Sequence, residues 1–316
     1  MCRSIAEDRR VDFVIALAGF GVGIIVGLTG MGGGALMTPI LVLFFGIPPL
    51  AAVSSDLLAS AAMKPFGGFV HARRGTVNWQ LVGWLCLGSV PSAFCGVLLM
   101  RALGGGASLG RAVQLALGCA LLLAVAGLVA KAYVARRRGA VANPAAASTI
   151  TIRPVPTAIL GALGGLVVGM TSVGSGSLII VILLMLYPAL RANDLVGTDL
   201  VQAVPLVAAG ALGHALFGDL HLDLTGALLV GSIPGVLLGA QLSARAPAGF
   251  VRSALAVVLL ASALKLFGVS TPVLATAVAL AMIAAVALPR LLSVRNLTAD
   301  PRKPEDSVSA TGSAAT

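Results

Sequence analysis

Residues 19–36 read GFGVGIIVGLTGMGGGAL, and residues 161–178 read GALGGLVVGMTSVGSGSL. At a constant offset of 142, eight of these eighteen positions are identical, among them Gly19/Gly161, Gly23/Gly165, Gly27/Gly169, Thr29/Thr171, Gly32/Gly174 and Gly34/Gly176. After one inserted residue the match resumes. Residues 53–96 align with 196–239 at an offset of 143, with fourteen of forty-four identical. These pairs include Asp56/Asp199, His71/His214, Gly88/Gly231, Ser89/Ser232, Pro91/Pro234 and Gly96/Gly239. Shared apolar composition inflates such scores, but it does not set Asp, His and Pro at one constant offset. The chain reads as two homologous halves.

The rest of the composition says where those halves live. Of 316 residues, 58% are hydrophobic and only 10% charged, with a mean hydropathy of +1.04. A soluble domain carries about 25% charge to cover its surface. Soluble enzymes, nucleic-acid binders and disordered chains are therefore excluded, and the net charge of +10 needs another source. Apolar segments fall at roughly 12–29, 33–46, 50–70, 79–100, 110–135, 154–172, 176–188, 192–214, 222–243, 250–268 and 272–289. Several reach the roughly 20 residues that span a bilayer. The segments at 33–46 and 176–188 are short and follow glycine-rich stretches.

The expected fold is an all-α polytopic integral membrane protein with about 8–11 membrane segments. Residues 1–11 form an N-terminal tail, 12–135 the first membrane repeat and 136–153 a basic central loop. Residues 154–270 form the second repeat, 271–293 an extra C-terminal segment and 294–316 a disordered tail. The first apolar run is read as a retained membrane segment, not a cleaved signal. If all eleven segments cross with the N-terminus outside, fourteen Lys and Arg residues fall on the cytoplasmic side and six on the other. That bias obeys the positive-inside rule and accounts for much of the net charge.

Thr29-Gly30-Met31-Gly32-Gly33-Gly34 and Thr171-Ser172-Val173-Gly174-Ser175-Gly176 should break their helices. Glycine costs about 1 kcal/mol in a helix interior. A break in hydrocarbon is tolerated only where protein or a water-filled cavity supplies partners. A helix starting at Gly34 or Gly176 would present free N–H groups and its positive end, which is an anion site. Hydroxyls of Thr29, Thr171, Ser172 and Ser175 would add donors. A tight turn or packing device is the plainer reading of the same glycines, and Gly19-xxx-Gly23-xxx-Gly27 is a helix-packing face.

The first break with its following Pro39, the duplicated halves, Val196-Gly197-Thr198-Asp199 and the two His-xxx-Gly pairs resemble the TauE/SafE sulfite-exporter family, also called the 4-toluene sulfonate uptake permease family. The resemblance runs over about residues 12–270. It implies an all-helical inner-membrane permease for sulfite, sulfonates or related organic anions, and about eight spans. The first half departs from the second at Ser54-Ser55-Asp56, which faces Gly197-Thr198-Asp199.

Ionisable groups in membrane segments are costly and mark function by default. Asp56 and Asp199 are read either as helix N-caps or as proton-relay groups. Lys64 either snorkels toward Arg73 and Arg74 or binds an anion in the interior. Gln202, one turn after Asp199, would line the same cavity. His71 and His214 near segment ends are interfacial caps or gating groups. The four cysteines form no CxxC pair, and no metal site or cofactor is expected.

With three histidines, no HExxH and no Ser–His–Asp grouping in plausible register, the chain is not expected to be an enzyme. The expected function is secondary transport of a small anion by alternating access at a midplane site between the repeats. A membrane-embedded enzyme or an anion channel is the alternative. Expected partners are the anion (sulfite, sulfonate or carboxylate) and the lipid bilayer, with no nucleic acid, and a homo-oligomer is left open.

Overall fold

A computed structural model describes residues 2–29, 34–102, 107–138, 151–174, 176, 179–180, 183, 186–187, 190, 192–217, 221–242 and 248–282. Gly30, Gly32, Gly33, Ser175 and the C-terminal tail lie outside the described residues. So does most of the central loop. Among the described residues there is no strand. The helices are α1 (Cys2–Thr29), α2 (Gly34–Phe44), α3 (Pro49–Arg73), α4 (Trp79–Ala102), α5 (Ala107–Arg138), α6 (Pro154–Thr171), α7 (Ala192–Phe217), α8 (Leu222–Leu242) and α9 (Ala248–Leu266), followed by α10 (Thr271–Met282). α1 extends back through the segment read as a tail, and α5 runs on to Arg138.

Among the described residues, five helical stretches are long and apolar enough to cross a membrane: Trp79–Ala102, Leu109–Ala130, Pro154–Thr171, Asp194–Phe217 and Leu222–Gly239. Of the eleven segments read from sequence, the one at 176–188 lies largely outside the described residues, and five others fall short for two reasons. Phe13–Leu28, Gly34–Phe44, Ser253–Leu266 and Thr271–Met282 are apolar but short. α3 is long enough, at 25 residues, but carries Asp56 and Lys64 in its interior.

Glycine faces set the packing. On α1, a Cβ added to Gly19 would strike the Leu228 carbonyl of α8, and one on Gly23 would strike Ser232. In return Gly231, Gly235 and Gly239 receive the carbonyls of Ala16, Phe20 and Ile24. On α6, Gly161, Gly165 and Gly169 meet the carbonyls of Leu85, Ser89 and Ala93 of α4, while Gly88 and Gly96 receive Ala158 and Leu166. Both pairs run parallel, because contact numbers rise together along the two helices. Backbones this close gain dispersion and weak Cα–H···O contacts that any side chain would block.

At the centre the sense reverses. Gly67 and Gly68 of α3 meet Leu200, Val201 and Val204 of α7, whereas Leu57 meets Gly210. Ser54, still earlier in α3, bonds His214, later still in α7. α3 and α7 are therefore antiparallel. The start of α5 meets the end of α9, where Gln114 Nε2 donates to the Leu266 carbonyl at 3.1 Å. This arrangement puts Arg73, Arg74 and Arg153 at one end of the bundle and Arg101, Arg111 and Lys265 at the other. The sorting matches the two sides of the charge bias read from sequence.

The outer faces of the bundle are apolar, and a set of polar side chains is buried within its mainly apolar interior. Leu17, Leu163, Leu212, Val230 and Leu237 are each more than half exposed. Ser54, Ser55, Asp56, Ser89, Thr198, Gln202 and His214 are all 0% exposed. A water-soluble bundle has polar outer faces instead.

The glycine faces give a direct test. Gly165→Val places a side chain against Ser89 backbone and should cost about 1–3 kcal/mol or prevent folding. Gly83→Ala, where nothing lies within 4 Å, should leave the melting temperature of the detergent-purified protein unchanged. Equal melting of both variants would refute the packing account.

Candidate functional site

The site begins with α3. Asp56, Ser60 and Lys64 stand at i, i+4 and i+8, so the helix repeat sets them on one face. All three are buried, Lys64 at 8% exposure and the others at 1% or less. Asp56 is the eighth residue of α3 and Asp199 the eighth of α7. Neither is a cap. The first turn of each helix lies before it, and α3 opens on Pro49, which suits a first helical position. The segment starts read from sequence, 50 and 192, agree with the helix starts at Pro49 and Ala192.

Lys64 lies within electrostatic reach of both Asp199 and Asp56. It does not snorkel toward Arg73 and Arg74, and its burial beside two carboxylates explains why. The antiparallel crossing of α3 and α7 brings one carboxylate from each helix to a single ammonium. Asp56 is held from a third direction as well, where Thr38 Oγ1 of α2 donates to Oδ2 at 2.8 Å. Its Oδ1 has no hydrogen-bond partner.

The two glycine breaks meet beside this cluster. A Cβ on Gly34, the first residue of α2, would collide with the Ser172 carbonyl that follows α6. Ser172 stands beside Asp56, is 4% exposed and has an Oγ with no hydrogen-bond partner. Its φ of 59° is left-handed, the conformation that closes a helix. Its N–H returns to the Val168 carbonyl at 2.7 Å. Gly174 and Gly176 follow with φ of 125° and 105°, values that L side chains rarely adopt, so glycine is required there. Thr171 Oγ1 donates to the Val167 carbonyl at 2.6 Å and accepts from Val173 N–H at 3.2 Å. It braces the break from inside. Thr29 closes α1, and its side chain lies outside the described residues.

The comparisons fall on this architecture. The family model described as Sulfite exporter TauE/SafE matches residues 15–266. The chain belongs to the sulfite exporter TauE/SafE family. Among its relatives is Probable membrane transporter protein YjnA of Bacillus subtilis (strain 168), 36% identical over 253 residues, which span 80% of this chain and 98% of that protein. Probable membrane transporter protein YdhB of the same organism is 28% identical over 251 residues, 77% of this chain and 94% of that protein. No solved structure matches. This is a multi-pass helical member of a membrane transporter family.

The histidines and Gln202 land differently from the sequence reading. His214 is not interfacial. Its Nε2 donates to the Gly169 carbonyl at 2.9 Å, and its Nδ1 lies 2.9 Å from Ser54 Oγ. Gly169 belongs to the last turn of α6, whose carbonyls have no partner within the helix. His214 thus ties the α3–α7 pair to the second break. His71 stays local, with Nδ1 at 3.0 Å from Thr76 Oγ1 in the turn after α3. Gln202 accepts from Ser89 Oγ at 3.2 Å, with its Nε2 buried and without a hydrogen-bond partner. It faces α4.

Thr38, Ser54, Ser60 and Ser172 contact or flank the charged groups, yet only Ser172 was a site candidate in the sequence. Ser60 was missed although its spacing, four residues from both Asp56 and Lys64, sets it on their face. Thr38 and Ser54 were not legible, because their partners are distant in the chain.

His214→Ala should leave the Gly169 carbonyl unsatisfied and lower stability by about 1–3 kcal/mol. His71→Ala, on a half-exposed turn, should cost a few tenths. Thermal unfolding of the purified variants checks this, and equal losses would contradict the bridge.

Proposed function

We propose that the chain is a secondary transporter of small anions that works by alternating access around the cluster of Asp56, Lys64 and Asp199. The observation that carries this reading is that α3 and α7 each bring a carboxylate to one buried ammonium, while Gly34 and Ser172 meet beside Asp56. Transporters place substrate where related halves meet, with backbone groups freed by broken helices. Here α2 starts at Gly34, so its first N–H groups point at the region that Ser172 and Asp56 border. Anion oxygens would meet Lys64, the N–H groups at the start of α2 and the Ser172 hydroxyl. Gly30, Gly32, Gly33, Gly174, Ser175 and Gly176 would supply backbone that can approach closely, with Thr29 and Thr171 flanking it.

An inverted duplication fits the contacts. Gly19–Leu228 and Gly161–Leu85 are the same contact under the 142 and 143 offsets, and so are Gly88–Ala158 and Gly231–Ala16. Antiparallel α3 and α7 support inverted rather than parallel halves. Rocking would then exchange the two ends of the site, with His214 as the gating link to the second break. Sulfite, sulfonates or related organic anions are the proposed substrates, in keeping with the family description. The cell inner membrane is the proposed location, with the Arg73, Arg74 and Arg153 end cytoplasmic.

The test is uptake into proteoliposomes over a panel of sulfite, thiosulfate, sulfoacetate, isethionate, taurine and simple carboxylates. Saturable flux with counterflow is expected for at least one sulfur-containing anion. Lys64→Ala should weaken its apparent affinity about 10–100-fold, the worth of one charge-assisted hydrogen bond, and Lys64→Arg should keep part of it. Flux without saturation would mark a channel, and unchanged affinity in Lys64→Ala would remove Lys64 from the site.

A further inference from the structure

We propose that each monoanion crosses together with one proton, held by the carboxylate pair Asp56 and Asp199 around Lys64. This rests on the anion site proposed above. The argument is a charge count over a closed set. Among the described residues, the fully or nearly fully buried charged side chains are Asp56, Lys64 and Asp199, joined by the imidazole of His214. Among the described residues, the elements around them add no other buried charge. α2 presents Thr38, the second break Thr171 and Ser172, α4 Ser89 and the thiol of Cys86, and α8 Thr225 and Ser232. Both ring nitrogens of His214 are already engaged, by Ser54 and by the Gly169 carbonyl.

With both aspartates ionised, the cluster carries a net charge of −1. A monoanion arriving there would raise it to −2 in a site walled by apolar helices, where unpaired charge is strongly disfavoured. One proton shared by the two carboxylates makes the empty site neutral. Two protons make it +1, which a monoanion neutralises. The two neutral states differ by one anion and one proton, so the pair moves as a unit.

Asp56 is built to titrate in place. Thr38 donates to its Oδ2, and the hydroxyl of Ser172 stands beside the same carboxyl group. A hydroxyl can donate to a carboxylate or accept from a carboxyl. The same neighbour therefore serves both protonation states without rearrangement of the helices.

The experiment uses the full chain in proteoliposomes with isethionate, or whichever sulfonate of the panel gives saturable flux. A sulfonate stays a monoanion over the working pH range, so any proton movement belongs to the protein. For the parent protein, an imposed pH gradient should drive accumulation, with external alkalinisation matching the sulfonate taken up one for one. An imposed potential of 100 mV without a pH gradient should shift accumulation by less than twofold, against about 50-fold for an uncompensated single charge. Asp56→Asn and Asp199→Asn should each keep one proton per anion, because the remaining carboxylate titrates against the same Lys64. The double Asn variant should lose proton movement and follow the potential.

Potential-driven flux in the parent without alkalinisation would overturn the coupling while leaving anion transport intact. So would loss of coupling in either single variant. Should the double variant not fold, the parent measurement decides alone. If no anion moves at all, the transport reading falls first and this one with it.

Discussion

A charge in hydrocarbon is expensive, and the rest of this molecule is arranged around that cost. Asp56, Lys64 and Asp199 are buried in one cluster, so each lends the others part of what water would have supplied. The hydroxyls of Thr38, Ser60 and Ser172 surround them. The outer faces carry leucine, valine and phenylalanine. Apolar outer faces suit a lipid environment, and the buried polar cluster is the natural place for polar chemistry.

Bringing the cluster together requires helices that approach very closely. Glycine provides the approach at α1–α8 and at α4–α6, where backbone lies against backbone. The same residue type has a second use at the breaks. There Gly174 and Gly176 adopt positive φ, and Gly34 lets α2 start against the Ser172 carbonyl. A packing glycine and a hinge glycine look alike in a sequence window but obey different physics. The first is excluded from larger residues by a neighbour, the second by its own backbone angle.

The two aligned stretches of sequence are not equivalent at the centre. His214 bridges Ser54 and the Gly169 carbonyl, while His71 bonds within its own turn. The cause is local. Gly197 occupies the place that corresponds to Ser54, so His71 has no matching hydroxyl to meet. Lys64 likewise faces Val207 in the alignment. One ammonium then has to serve two carboxylates, which is why the proposed site carries an odd charge count.

Much of the architecture was legible in the chain itself. Hydropathy placed the apolar helices, and the constant offset marked Asp56 with Asp199 and Gly34 with Gly176. The scarcity of charge reduced the interior candidates to a few. These are local or periodic properties, and they survive reading one residue at a time. Sequence did not reveal that Asp56 and Asp199 lie within their helices and not at caps, that Lys64 turns inward, or that Thr38 and Ser54 join the site. Each of those depends on what packs opposite. Only the antiparallel crossing of α3 and α7, and the contact of the two breaks, decide which distant side chains share the space where water cannot go.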